Sequence, residues 1–144
     1  MPTATFTPFY DFSEQSWKGV HDFSSDTFKV ALTNSAPDKT ANANISDITE
    51  IAAVGGYSLG GYTLDGVTLT QASNVSTVTI DDEVITASGA SVGPFRYAVI
   101  QNSSASGALV GFLDYGSAST LADTESLTLD FNPTSGVLTN TVPL

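Results

Sequence analysis

The segment GPFRYAVIQNSSASGALVGFLDYGS, residues 93–117, sets two apolar runs on either side of a small polar turn. Val, Ile, Phe and Tyr dominate the runs, and SSASG separates them, which is the composition of a β-hairpin. Read with a period of two, Phe95, Tyr97 and Val99 lie on one face of the first strand and Arg96, Ala98 and Ile100 on the other. On the return strand Val110 and Phe112 oppose Leu109, Gly111 and Leu113. Both faces are largely apolar, so the hairpin is expected at the centre of a sheet, covered on one side by sheet and on the other by helix. Tyr97, Val99, Val110 and Phe112 are the predicted core. Arg96, the chain's single arginine, follows Pro94 and Phe95 at the mouth of the buried strand. A guanidinium there holds two acceptors in fixed geometry, and Asp114 or Asp130 is the expected partner.

Outward from the hairpin, the same chemistry recurs. Phe28, Val30 and Leu32 alternate with Thr27, Lys29 and Ala31 in a strand ending at Asn34. Further strands are predicted over 62–70, with an Asp65–Gly66 turn, and over 75–86, 126–131 and 136–142. About seven short strands punctuated by Gly, Asn and Ser predict a mainly β domain, a β-sandwich or jelly roll. Its 144 residues form one domain. Residues 1–8 are predicted to be an extended arm. Over 9–23, Phe9, Phe12, Ser16, Val20 and Phe23 fall at helical spacing, and Asp11 with Glu14 resembles a capping box. A second short helix is predicted over 45–53, capped by Ser46 or Asp47, with Ile48 and Ile51 inward. Residues 35–44, SAPDKTANAN, have no apolar period and read as a long exposed loop of the kind that meets partners. GGYSLGGY, 55–62, reads as a tight turn with rings packed beside it, and it lacks the lysine and following helix of a phosphate-binding loop.

Fifteen acids against four bases give a net charge of −11, and such a surface repels nucleic-acid backbones and anionic membranes. A basic protein surface is the better electrostatic match. There is no cysteine, which fits a reducing compartment and removes thiol chemistry. The start MPTATFTPFYDF carries no basic n-region and no apolar run of a secretory signal, and no stretch reaches the length of a membrane span.

Catalytic chemistry finds little to stand on. His21 is the only histidine, no GxSxG elbow is present, and a zinc site would need more ligands. Asp81, Asp82 and Glu83 are the one contiguous acidic run. Neighbours along a strand end point to opposite faces, which suits solvation better than a shared sugar or a loose calcium ion. The residues describe a structural or binding protein rather than an enzyme, without cofactor or metal.

Four blocks, DTFKVALTNSAP (26–37), ITEIAAVGGYSLGGYTL (48–64), FRYAVIQNSSASGALVGFLDYGS (95–117) and GVLT (136–139), resemble a family of small virion structural proteins of tailed bacteriophages. The resemblance implies a head decoration, or cement, protein. Such a protein is made in the host cytoplasm, sits on the capsid exterior and holds neighbouring units of the major capsid protein together, often as a dimer or trimer. Phe6 and Phe9 in the N-terminal segment, and Pro37, Asp38 and Lys39 in the 35–44 loop, are the expected capsid contacts. The alternative is a tail- or fibre-associated protein binding a host surface glycan through Tyr57, Tyr62 and Tyr115.

Overall fold

Strands β7 (Val92–Asn102) and β8 (Ala108–Leu121) form the hairpin read from the sequence, joined by a 3-10 turn at Ser103–Ala105, in a computed structural model that describes residues 4–132 and 136–143. Around it run β1 (Thr5–Pro8), helix α1 (Tyr10–Trp17), β2 (Phe28–Thr33), β3 (Tyr62–Thr63), β4 (Thr68–Ala72), β5 (Val75–Thr79), β6 (Glu83–Thr86), β9 (Ser126–Leu129) and β10 (Leu138–Thr141). The main sheet has the order β1-β8-β7-β2-β3, and two smaller sheets are ordered β10-β5-β4 and β6-β9, with antiparallel pairing throughout. The domain is mainly β and sandwich-like.

The hairpin is covered on both faces. On one, Phe28, Val30, Leu32, Ala98, Ile100 and Leu113 pack against residues of the smaller sheets and their flanks, among them Val78, Ile85, Leu129 and Phe131. On the other, Tyr97, Val99, Leu109 and Phe112 lie under Phe9 and Ile48. The second cover is thus the residue before α1 and the 45–48 turn, not the body of a helix. Tyr97, Val99, Val110 and Phe112 are all buried, as the alternation predicts.

The face assignment is only half right. Ile100 pairs with Gly111 but Gln101 with Leu109, so Val110 is an inserted residue and joins Leu113 on the sandwich side. A second irregularity between Phe95 and Tyr97 puts Phe95 with Ala98 and Ile100 instead of with Tyr97. The bulge at Val110 adds one residue to β8, whereas between Phe95 and Tyr97, paired with Ser119 and Asp114, β8 runs three residues longer than β7.

The predicted 9–23 helix is shorter, spanning Tyr10–Trp17. Gly19 stops it with φ +76°, the left-handed conformation that favours glycine. The Gly19 N–H donates to Ser16 O (3.1 Å) and the Val20 N–H to Gln15 O (3.0 Å), closing the end as a Schellman motif. The Asp11–Glu14 capping box is absent: Phe9 occupies the N-cap, Asp11 Oδ1 accepts from Gln15 Nε2 (3.2 Å), and Glu14 pairs with Lys18. Val20 and Phe23 are partly buried for another reason: past the helix the chain folds back, and Phe23 stacks on Phe28 at 4.7 Å.

The second helix is a single 3-10 turn, Ile45–Asp47, whose cap is Asn44 rather than Ser46 or Asp47. Asn44 Oδ1 accepts from Ser46 N (3.1 Å), and Asp47 Oδ2 accepts from the N–H groups of Ala43 (2.9 Å) and Asn44 (3.0 Å). Those donors hold the Asp47 carboxyl below its usual pKa. Ile48 and Ile51 point inward as predicted. In the 55–62 turn Tyr57 is buried, donates its hydroxyl to Glu50 and accepts from Leu32 N (3.0 Å).

His21 lies beyond α1 against Phe12, Phe23 and Phe28. Its Nδ1 is 3.3 Å from Asn102 Nδ2, a donor that also reaches Asp26 Oδ2 at 2.7 Å. Burial lowers the imidazole pKa, opposed by the charges of Asp26 and Asp11. An unfolded histidine protonates near pH ~6.5, so just below that pH the unfolded chain binds more protons than the native one. Stability should therefore decline as pH falls from about 6.5 towards the lower native pKa. Thermal melts across this window should show the decline in the native sequence and a flatter profile in His21→Gln; identical profiles would contradict it.

Candidate partner-binding surface

The N-terminal segment is not a free arm. Residues 1–3 lie outside the described residues, and from Thr5 the chain is β1, paired along β8 in the register Thr5↔Asp114, Phe6↔Leu113, Thr7↔Phe112 and Pro8↔Gly111. Phe6 is partly buried against the main core. Phe9 is 1% exposed, its ring 5.3 Å from that of Phe112 and its N–H donated to Val110 O (3.1 Å). Phe9 is therefore a core residue, and its expected role as a surface contact is corrected. Apolar residues near a chain start look available in a sequence, but an edge strand has an inner face to fill.

The 35–44 loop is exposed over most of its length, as predicted, and it is well organised. Asp38 is its hub: Oδ1 accepts from Thr40 Oγ1 (2.7 Å), Thr40 N (2.9 Å) and Ala41 N (3.2 Å). The Thr40 hydroxyl, then the backbone donors, keep this carboxyl below the usual aspartate pKa. Asp38 shapes the loop, and Pro37 beside it is half-buried. The loop's far end is tied to β8, with Leu109 N donating to Ala43 O (3.0 Å) and Asn44 Nδ2 to Ser106 O (2.9 Å).

Tertiary structure joins the two segments. The Tyr10 N–H donates to Lys39 O (2.9 Å), and Lys39 Nζ lies 5.7 Å from the centre of the Tyr10 ring. A shallow depression of about 540 Å³ opens here, lined by Thr7, Pro8, Phe9, Tyr10, Phe12, Ser13 and Lys39. Tyr10, 61% exposed, is its prominent aromatic. Of the five expected contacts, Lys39 lies on this patch with an exposed side chain, Phe9 forms its floor, and Asp38 supports it from within the loop. Tyr10 was missed, although it stands off the 9/12/16/20/23 stripe, the position from which a helix side chain faces solvent.

Arg96 meets Asp114 as expected, with Nε to Oδ1 at 2.8 Å and Nη2 to Oδ2 at 3.0 Å. The hydrogen bond from Arg96, then that from Gly116 N, depress the Asp114 pKa. The two side chains are 38% and 37% exposed, so water screens the pair.

Tyr57 and Tyr115 are buried and Tyr62 half-buried, its ring 5.6 Å from that of Tyr57. These three rings do not form the exposed platform a glycan would need. Among the described residues no three His, Asp or Glu side chains gather to hold a metal ion; Asp82 Oδ1 instead accepts from Phe131 N (3.0 Å). No described helix is long and apolar enough to cross a membrane. No family model, curated protein or solved structure matches this chain.

Proposed function

We propose that this protein decorates a bacteriophage capsid, binding the outside of the major capsid shell through the patch where the 35–44 loop meets the start of α1. The observation that carries the reading is the Tyr10–Lys39 pairing. An exposed aromatic and a cation, far apart in sequence, are held together by a backbone hydrogen bond on the surface of the sandwich. Tyrosine at the centre of an interface is a frequent energetic anchor. The pattern of DTFKVALTNSAP and FRYAVIQNSSASGALVGFLDYGS, with its resemblance to phage virion proteins, supplies the partner class. A net charge of −11 favours a shell surface with basic groups. Many weak sites on one shell would together protect it, and oligomers spanning several capsomers would gain by effective concentration.

Undecorated capsids mixed with purified protein test the reading by co-sedimentation. Tyr10→Ala and Lys39→Glu should each weaken binding by about tenfold or more while leaving the melting temperature near that of the native sequence. Both variants decorating shells normally would mean that another face makes the contact. Binding to host cells in place of shells would favour the glycan alternative.

A further inference from the structure

The sheet β10-β5-β4 differs from the rest of the surface. Residues 66–80 and 136–143, which contain all three strands, carry no charged side chain in a chain of net charge −11. Strand β4 lies at the end of this sheet, and no described strand pairs with its outer edge. All five of its residues, TLTQA, are exposed. Exposed edges are normally guarded by Lys, Pro or a bulge, because a bare edge recruits another strand. β4 has no Lys or Pro, and its pairing with β5 runs unbroken from Thr68↔Thr79 to Ala72↔Val75.

Across this sheet, from Leu69 on β4 to Leu138–Asn140 on β10, runs an apolar groove of about 540 Å³ facing the α1 region. Leu69, Val78 and Leu138, which lie in one row across the three strands, form one wall, and Phe12 and Phe23 stand on the other side. Trp17, the chain's only tryptophan, lines the groove and is 88% exposed, and Leu69 is 45% exposed. Of the acids on the helix, Glu14 is paired with Lys18.

We propose that this face is where two copies of the chain meet, with β4 pairing antiparallel to β4 of the second copy about a two-fold axis and the two Trp17-lined grooves covered at the joint. Charge selects this occupant. Two bodies of −11 repel over most orientations and approach most easily through uncharged surface. A two-fold axis brings one surface against itself, so a neutral strand meets a neutral strand and both sheets continue into one. The inference needs only the free protein and does not rest on the capsid reading.

Sedimentation velocity of the full chain tests it. A dimer is expected at about 0.1 mM or below. Raising salt from roughly 0.05 M to 0.5 M should tighten it, because screening relieves the like-charge repulsion. An interface built on ion pairs would loosen instead. Trp17→Ala, and separately the double variant Thr68→Lys with Thr70→Lys, should weaken dimerisation at least about tenfold while thermal melts show the domain still folded. A native chain that remains monomeric, or a dimer indifferent to both variants, overturns the proposal. A monomer that still binds capsids overturns it and leaves decoration standing; a dimer that ignores capsids does the reverse.

Discussion

Phe9→Ala is expected to destabilise the domain by about 3 to 5 kcal/mol, the usual cost of deleting a fully buried phenylalanine ring. Phe9 covers the second face of the central hairpin, packed with Tyr97, Val99, Leu109, Phe112 and Ile48. It also occupies the N-cap of α1, and its N–H is donated to Val110 O. The backbone is therefore pinned to the sheet, and the neighbouring side chains cannot easily collapse into the space left by the ring. Urea titration would read the loss as a lower midpoint with an unchanged slope. Tyr10→Ala, one residue further on and exposed, should stay within about 0.5 kcal/mol of the native chain. If Phe9→Ala kept native stability and lost only partner binding, the segment would be a surface grip and Phe9 would not be a core residue.

Gly61→Ala should cost about 3 kcal/mol or more, from two effects acting together. Gly61 has φ +90°, which an alanine adopts only under strain. An added Cβ would also lie 2.0 Å from Val30 O and 2.7 Å from Ala31 Cα. Those are backbone atoms of β2, locked between β7 and β3, so they cannot move aside as the end of a side chain would. Gly60→Ala separates the two effects. Its φ is +93°, but the nearest atom to a new Cβ is Gln101 Nε2 at 3.7 Å, so strain acts alone and about 1 kcal/mol is expected. Equal losses for the two variants, measured by thermal or urea unfolding, would show that the close approach to β2 is not what Gly61 is for.

Most strands were legible because their signals are local, but the single strand expected over 75–86 is two, β5 and β6, in different sheets. Alternation in 28–33 and the apolar runs around SSASG place β2, β7 and β8 within a few residues, and Ile48 and Ile51 face inward as their spacing says. The long helix was misread because one apolar stripe combined two causes. Phe12 belongs to α1, whereas Val20 and Phe23 are partly buried by the fold-back after Gly19. Nothing in the alternation announces the bulge at Val110, where Ile100 pairs with Gly111 and Gln101 with Leu109.

The candidate surface divides in the same way. Lys39 and the exposed 35–44 loop could be read directly, since a polar run without period has no face to bury. Its neighbour Tyr10 could not, because the Tyr10–Lys39 hydrogen bond joins segments that only β1 pairing with β8 brings together. Sequence by itself determined the mainly β class, the hairpin at its centre, the pairing of Arg96 with Asp114 or Asp130 and the absence of charge along 66–80. All follow from periodicity, turn chemistry or composition, which neighbouring residues set among themselves. Tertiary structure decided that Phe9 is core and Tyr10 surface, that the Arg96 pair is open to water, and that Trp17 lines a groove across the uncharged β10-β5-β4 sheet. Burial belongs to pairs of surfaces, and no residue carries in its own neighbourhood the identity of the distant segment that will cover it.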